Sequence, residues 1–387
     1  MDKSKKKTII IIVAIVAVLS LVLGLYLGLP IQKTYVDYDF MGGISLQTII
    51  KANMVNQGPI GDKIYAAVEK VDNLTNPTKE KSDIYRINNA QIGETVKVNT
   101  TTIELLKIAK DVYDKTGGKF NPASYTLVDI WGFSADKFNK EGEHTVPSQE
   151  LIEKGKKLAK TFENTTFITD GETLDENATF VVNTTKNIVY KTDKCFVEGE
   201  SAKLDLGGIA KGYAVEKCYE VFKNSVASDG LVNLGGNVYT YNKVWKVGLE
   251  NPFKYNEGEK GIFGVVDVKN LSISCSGVYE RNYTITIGDE SYFYHHIIDV
   301  ETGAPVEIGE KSVYMAMVIG KNGAVCDAIA TSLVLYKTIE NAEQFVKENY
   351  KDEISGVILI NKSKEYKVLG SVPFVYNNEL EGFTELK

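Results

Sequence analysis

The sequence predicts an α+β domain built on a mixed sheet and preceded by one N-terminal transmembrane helix. Three observations predict it. A predominantly apolar run from Ile9 to Leu29 holds no charged residue and follows Lys3, Lys5, Lys6 and Lys7. Beyond it, segments of helical period and segments of strand-like alternation mix without a strict βαβ rhythm. Several glycine-punctuated segments then adjoin apolar runs, where loops sit at the edge of a sheet.

The elements follow in order. Residues 1–8 read as a basic cytoplasmic stub and 9–29 as the membrane anchor. At about 1.5 Å per residue the run spans about 32 Å, close to the hydrocarbon thickness of about 30 Å. The lysines are expected to stay cytoplasmic, leaving the rest of the chain outside. A cleaved signal peptide is the rival, but its apolar region is shorter and ends in an A-x-A-like site, whereas this run ends in Gly28-Leu29-Pro30. Residues 30–38 read as a tether and 39–387 as the extracytoplasmic domain. Ile103–Lys115 has a helical stripe. So does the stretch from Ser148 to Phe162, where Ser148 is a plausible cap; Leu151 stands where a capping box wants Glu or Gln. Phe180–Tyr190, Val244–Leu249, Ile262–Val268, Tyr283–Ile287 and Val313–Ile319 read as strands. Val357–Ile360 and Tyr366–Leu369 read as a hairpin around Asn361-Lys362-Ser363.

Composition narrows the function. A chain of 387 residues can hold one large domain or two ordinary ones. Its net charge of -7 argues against nucleic acid as a partner, because phosphate binding wants a basic face. Cys195, Cys218, Cys275 and Cys326 lack the close pairing of a zinc site. Two disulfides are possible in an exported chain, but separate buried thiols are the plainer expectation.

Five segments carry candidate chemistry. Thr116 to Pro122 leads to Trp131-Gly132-Phe133; alone it reads as a helix stop and a turn. Leu204 to Ala214 reads as a short strand, a glycine turn at Gly207-Gly208 and a helix, whose N-terminal N–H groups and Lys211 suit an anion. Val232 to Asn237 holds Gly235-Gly236, a tight turn or bulge. Tyr294 to Pro305 holds His295 and His296; adjacent strand side chains point to opposite faces, so at most one faces a given pocket. On the helix Cys326–Leu335, Asp327 and Thr331 are four apart and put two oxygens on one face. Mg²⁺ takes such hard ligands and is often held by one carboxylate plus substrate phosphates. A helix cap at Asp327 and a back-bonded Thr331 are the plainer alternative.

In this order the segments resemble the ApbE-like family of FAD:protein FMN transferases, from Met41 to about Leu369. Ser82 to Asn88 is similar to its S-x-I-x-R-x-N segment. Gly118 to Pro122 with Trp131-Gly132-Phe133 is similar to its G-x-F-[DN]-P … W-G-F. Asp205 to Gly212 resembles D-L-G-G-I-A-K-G, Asn233 to Asn237 resembles N-x-G-G-[ND], and Ser274 to Arg281 resembles S-x-S-G-x-Y-x-R. His296 to Asp299 with Thr302-Gly303 resembles H-I-I-D-P-x-T-G, and Asp327 to Thr331 resembles D-A-x-x-T. The resemblance implies a T-fold-related catalytic domain. It implies FAD contacts at Met41, around Lys119, Phe120 and Asn121, and at Asp205, Lys211 and Ile298. It implies Mg²⁺ on the Gly208 carbonyl, Asp327 and Thr331. The chain departs from the family at Gly43, where a Thr is usual, and at Val300, where a Pro is usual. Thr75 to Lys81 has no aromatic, and the anchor is a helix where many members carry lipid.

The implied reaction is phosphoryl transfer. A Ser or Thr hydroxyl of an acceptor attacks the riboflavin-side phosphorus of FAD and AMP leaves. His296 and Asp327 are the candidate bases, and a metal-bound carboxylate is the poorer one. Expected acceptors are flavin-carrying electron-transfer proteins on the same face of the cell membrane. Two other readings share the scaffold: an FAD pyrophosphatase and a membrane-tethered FAD-binding protein without enzymatic activity.

Overall fold

The computed structural model of the chain describes residues 3–41, 43–138, 144–254 and 261–387. The N-terminal run lies in helix α1 (Lys3–Gly28). The side chains at 3–10, 22, 23 and 25–27, on which the anchor expectation also rests, lie outside the described residues. Among the described residues no helix is long and apolar enough to cross a membrane.

The stretch 30–38 is not the tether expected from sequence. It belongs to strand β1 (Pro30–Phe40), which pairs antiparallel with β2 (Ile44–Asn53) from Pro30↔Asn53 to Phe40↔Ile44. Most described side chains of β1 are exposed on both faces, so no alternation marks it in the sequence. Its partner β2 does alternate, with Leu46, Thr48, Ile50 and Ala52 buried, and that fixed strand supplies the ladder.

From β2 the chain builds a nine-stranded sheet whose spatial order is its chain order. The further strands are β3 (Asp229–Leu234), β4 (Asn237–Tyr241), β5 (Ser272–Gly277), β6 (Val313–Gly320), β7 (Ile354–Asn361), β8 (Glu365–Gly370) and β9 (Thr384–Glu385). Every neighbouring pair is antiparallel except the last. Both faces of the central strands are covered, which is why β6 and β7 read as continuous apolar runs. Ala316 and Val318 face a core shared with the helices; Met315, Met317 and Ile319 face a second core. That second core lies under the smaller sheet of Trp245–Glu250, Ile262–Val268 and Phe374–Tyr376.

The other face is covered by α2 (Met54–Thr75), α3 (Gly207–Lys223) and α4 (Gly323–Val334), with the helix Ile339–Asn349 against β7 and β8. The helix from Gln149 to Lys160 ends in a 3₁₀ turn at Thr161–Asn164. Its Ser148 hydroxyl accepts the Leu151 N–H at 3.4 Å, so the cap forms without the acidic partner. Phe180–Tyr190 resolves into two strands, Phe180–Asn183 and Ile188–Lys191. All four cysteines are free thiols; Cys195, Cys218 and Cys326 are buried and Cys275 is half-buried.

Lys191 is fully buried, its Nζ donating to the Asn88 carbonyl at 3.0 Å and the Ser201 hydroxyl at 2.8 Å. Burial pushes this ammonium down to about 8. The folded state therefore sheds the proton first. Between about pH 8 and the ordinary lysine value the unfolded chain holds more protons, and stability rises with pH. Urea unfolding of the native chain and Lys191→Met at pH 7.5 and pH 10 is expected to show the native chain gaining on the variant as pH rises. An unchanged difference would mean that burial does not strain this amine.

Candidate active site

Strand register decides which segments can meet. Gly235 and Gly236, with φ of 55° and 87°, make the two-residue turn between β3 and β4. The Gly235 N–H donates to the Ser45 carbonyl at 3.2 Å, so the β1–β2 turn carrying Met41 lies at the same end of the sheet. Met41 itself has a left-handed φ of 45° and is half-buried against the helical core. Gly42, part of the same opening, lies outside the described residues. Strand β5 runs antiparallel to β4 with Val238 opposite Ile273, which brings Ser276 to that end too.

Helix α3 begins at Gly207, so the strand and separate glycine turn expected before it are absent. Gly207 and Gly208 are its first helical residues. Close packing is the reason: a Cβ on Gly208 would press on the Phe120 ring at 3.2 Å and lie 3.6 Å from the Thr331 hydroxyl. The approach to the helix is pinned from both sides. Asn88 donates to the Leu204 carbonyl at 2.9 Å and accepts the Leu204 N–H at 2.7 Å. The Asp205 N–H donates to the Pro122 carbonyl at 2.7 Å, and the Asp205 carboxylate accepts the Gly207 N–H at 2.7 Å.

Asp327 is not a helix cap. Asn322 caps α4, accepting the Val325 N–H at 2.9 Å. Asp327 is 1% exposed; its Oδ2 accepts the Gly212 N–H at 2.9 Å, and its Oδ1 lies 3.6 Å from Lys211 Nζ. The Thr331 hydroxyl bonds back to the Asp327 carbonyl at 3.3 Å and meets the Ser276 hydroxyl at 3.1 Å. Gly208, Lys211, Asp327 and Thr331 are thus gathered where α3 and α4 cross. Among the described residues no three His, Cys, Asp or Glu side chains cluster as a metal cage. The gathered side chains offer one carboxylate and one hydroxyl, both hard oxygens, beside Gly208. That set fits Mg²⁺ completed by water and phosphate, and does not fit a soft metal.

The other predicted residues are placed less uniformly. Phe120 is buried against Gly208, and Lys119 Nζ lies 5.3 Å from the centre of the Tyr336 ring. Asn121 spends its side chain on the Ala159 carbonyl and the Ala123 N–H, at 3.1 Å and 2.8 Å, and its own carbonyl accepts the Ser124 N–H at 3.2 Å. Ile298 is buried in an aromatic-rich cluster with Trp131, Phe133 and Ile152. The two histidines part company as adjacent residues should. His295 Nε2 pairs with the Val306 carbonyl at 2.9 Å; His296 Nδ1 pairs with the Arg281 carbonyl at 3.3 Å. A carbonyl only accepts, so His296 carries its proton on Nδ1 and keeps Nε2 free as an acceptor.

Two residues of the site escaped the sequence reading. Arg281, at the end of the S-x-S-G-x-Y-x-R segment, acts on the charges of Asp205, Glu280 and His296. Glu280 keeps an edge open to water, yet crowding by protein, with Asp327 and Glu250 adding and Lys211 and Arg281 opposing, pushes its carboxyl up to about 7. Burial raises Asp205 against the opposing Gly207 N–H, Arg281 and Lys211. Burial, then His295 and Arg281, pushes His296 down to about 3; burial pushes His295 down to about 4. Both rings are neutral near pH 7. NMR of the ligand-free protein is expected to show neither ring titrating between pH 5 and 8, and a midpoint near 6.5 in either would contradict this. Because both folded values lie below the ordinary one, their stabilising contribution is lost as pH falls from about 6.5 towards 3.

A surface cleft of about 430 Å³ opens between α2, Thr100–Lys115 and the Tyr213, Lys217 and Glu220 flank of α3. It holds none of the candidate residues, and its Lys217 is paired with Glu104 and Glu220. Chemistry, and not cleft size, therefore locates the site.

Comparison with known proteins gives the family. The model of the ApbE family matches residues 42–357. The chain belongs to the ApbE family. An FAD:protein FMN transferase of Klebsiella pneumoniae is 24% identical over 252 residues, covering 64% of this chain and 67% of that protein. One from Treponema pallidum is 26% identical over 306 residues, covering 74% of this chain and 75% of that protein. The crystal structure of the ApbE protein of Thermotoga maritima superposes with a TM-score of 0.66 at 23% identity, covering 88% of this chain and 96% of that one. The mixed α+β architecture is thus the ApbE fold.

Proposed function

We propose that the protein is an Mg²⁺-dependent FAD:protein FMN transferase, held in the cell membrane by α1 with residues 39–387 on the extracytoplasmic side. The observation that carries the reaction is the meeting of Gly208, Asp327 and Thr331 beside Lys211 at the crossing of α3 and α4. The activity named for the relatives supports it. The anchor is supported by the lysines before the apolar run and by α1 itself, where every large apolar side chain from Ile11 to Leu21 is exposed. At about 25 cal/mol per Å² such a surface favours a lipid environment over water.

The chain's residues divide the work. Met41, the backbone at Lys119–Asn121, Asp205 and Ile298 hold FAD, and Lys211 faces its pyrophosphate. The Gly208 carbonyl, Asp327 and Thr331 would hold Mg²⁺, which would supply positive charge against that growing on the phosphate oxygens. The acceptor's Ser or Thr oxygen forms the new bond to the riboflavin-side phosphorus, the bond to the AMP phosphate breaks, and AMP carries away that electron pair. His296 Nε2 takes the hydroxyl proton. Asp327 is the weaker candidate, since one oxygen is committed to Gly212 and the other faces Lys211. The low basicity of His296 is partly the work of Arg281 and Lys211, and an anionic pyrophosphate placed between them would relieve it.

The test uses the full chain in detergent with FAD, Mg²⁺ and an FMN-binding acceptor domain from a membrane electron-transfer protein. Intact mass of the acceptor is expected to rise by one FMN unit, with release of AMP, and a chelator is expected to stop it. Free FMN and AMP with no change in the acceptor would instead make the protein a pyrophosphatase. Tight FAD retention without turnover would make it a flavin-binding protein.

A further inference from the structure

Helices α3 and α4 meet along two rows spaced four residues apart. On α3 the row is Gly208, Gly212 and Glu216; on α4 it is Gly323, Asp327 and Thr331. The rows run in opposite directions and touch at three rungs. A Cβ on Gly208 would lie 3.6 Å from the Thr331 hydroxyl. The Gly212 N–H donates to Asp327 Oδ2 at 2.9 Å. At the far end the Gly323 N–H donates to Glu216 Oε2 at 2.8 Å, and the Glu216 carboxylate also accepts the Ala324 N–H.

We propose that Glu216 is a positioning residue which sets the register of α4 against α3, and through it the approach of Asp327 and Thr331 to the Gly208 carbonyl. The proposal rests on the reading of those three as metal donors.

The physical case has three parts. The middle rung has no side chain on α3, and Gly212 and Gly323 bring backbone against backbone, so the crossing is close but smooth. A smooth crossing does not by itself fix sliding along the row, and directional bonds must do so. Glu216 supplies the bond at one end: a carboxylate on the first N–H groups of α4, where the helix dipole favours negative charge. The Gly212 N–H supplies the other. Its helical acceptor is the Gly208 carbonyl four residues back, so the donor that orients Asp327 is the one that otherwise engages the candidate metal-binding oxygen. A small slip of α4 would misplace both donors at once. Groups that hold metal ligands in place typically carry a 10–100-fold effect on affinity.

The test titrates Mn²⁺ into the full-length protein in detergent with FAD and follows free Mn²⁺ by electron paramagnetic resonance, with circular dichroism on the same samples. Glu216→Ala is expected to weaken Mn²⁺ binding about 10–100-fold without change in helix content. Glu216→Asp, which keeps the charge but shortens the reach, is expected to lose about 5–10-fold, and Glu216→Gln, which keeps an acceptor oxygen, about threefold or less. Should Glu216→Ala fail to fold, the Asp and Gln variants decide by the same ranking. Asp327→Ala separates the two readings. If it abolishes binding while the Glu216 variants match the native chain, the register proposal is overturned and the metal site stands. If Asp327→Ala binds Mn²⁺ as the native chain does, the metal reading has failed and the register proposal goes with it.

Discussion

Asp327→Ala is expected to lower kcat/KM for FMN transfer by about 10³-fold or more, a loss of about 4 kcal/mol of transition-state stabilisation. The reasoning is electrostatic. The carboxylate is 1% exposed and faces Lys211 across 3.6 Å, so it is the one anionic donor in a set otherwise made of a hydroxyl and a carbonyl. Without it neither remaining oxygen can hold a divalent cation firmly, and the phosphate charge has only Lys211 and Arg281 to balance it. Asp327→Asn separates catalysis from packing. Its carbonyl oxygen can still accept the Gly212 N–H, so stability is expected to stay near that of the native chain while transfer falls as far as in the Ala variant. The measurement is the rate of acceptor mass gain against Mg²⁺ concentration. Full transfer by either variant in saturating Mg²⁺ would remove Asp327 from the metal site.

The largest effect on stability is expected from Gly323→Ala. In the interior of an exposed helix this change is usually favourable, since Ala is the better helix former. Here the added Cβ would overlap the Gly212 carbonyl oxygen and come within 3.2 Å of the Ser272 hydroxyl. The obstruction is backbone belonging to another helix, so relief requires α3 and α4 to separate, and Asp327 and Thr331 to move with them. Overpacking of this kind costs about 3 kcal/mol. At a urea dependence of about 3 kcal/mol/M the unfolding midpoint is expected to fall by about 1 M. The variant is also expected to transfer poorly even where it is folded. An unchanged midpoint would mean that the two helices are not in backbone contact at this crossing.

Particular residues show what could be read from the chain and what could not. The hairpin of β7 and β8 was legible because two apolar runs flank a polar turn. The pairing of Asp327 with Thr331 was legible because four residues make one helical turn. Both are local facts. The strand β1 was not legible, because an edge strand with exposed faces carries no burial pattern and owes its form to β2. Nor was the start of α3: a glycine pair ordinarily signals a turn, and only the Phe120 ring and Thr331, distant in sequence, require those glycines to be helical. Arg281 and Glu280 stood inside a quoted segment, but their influence comes from charges on three other segments. Glu216 carried no signal, since an acidic residue in mid-helix is usually a solvated one.

The strand that replaces the expected tether has a mechanical meaning. A flexible leader would let a catalytic domain wander, exploring a hemisphere whose radius grows with the square root of its length. This chain passes from α1 to a ladder of backbone bonds across the single residue Leu29. If α1 sits in the bilayer as proposed, the domain is moored there by the margin of its own sheet, and the opening to its site keeps a nearly constant altitude. An acceptor would then be selected by the height of its hydroxyl above the lipid as much as by the residues around it. Lengthening the mooring between Leu29 and Pro30 with glycine and serine is the way to widen that choice.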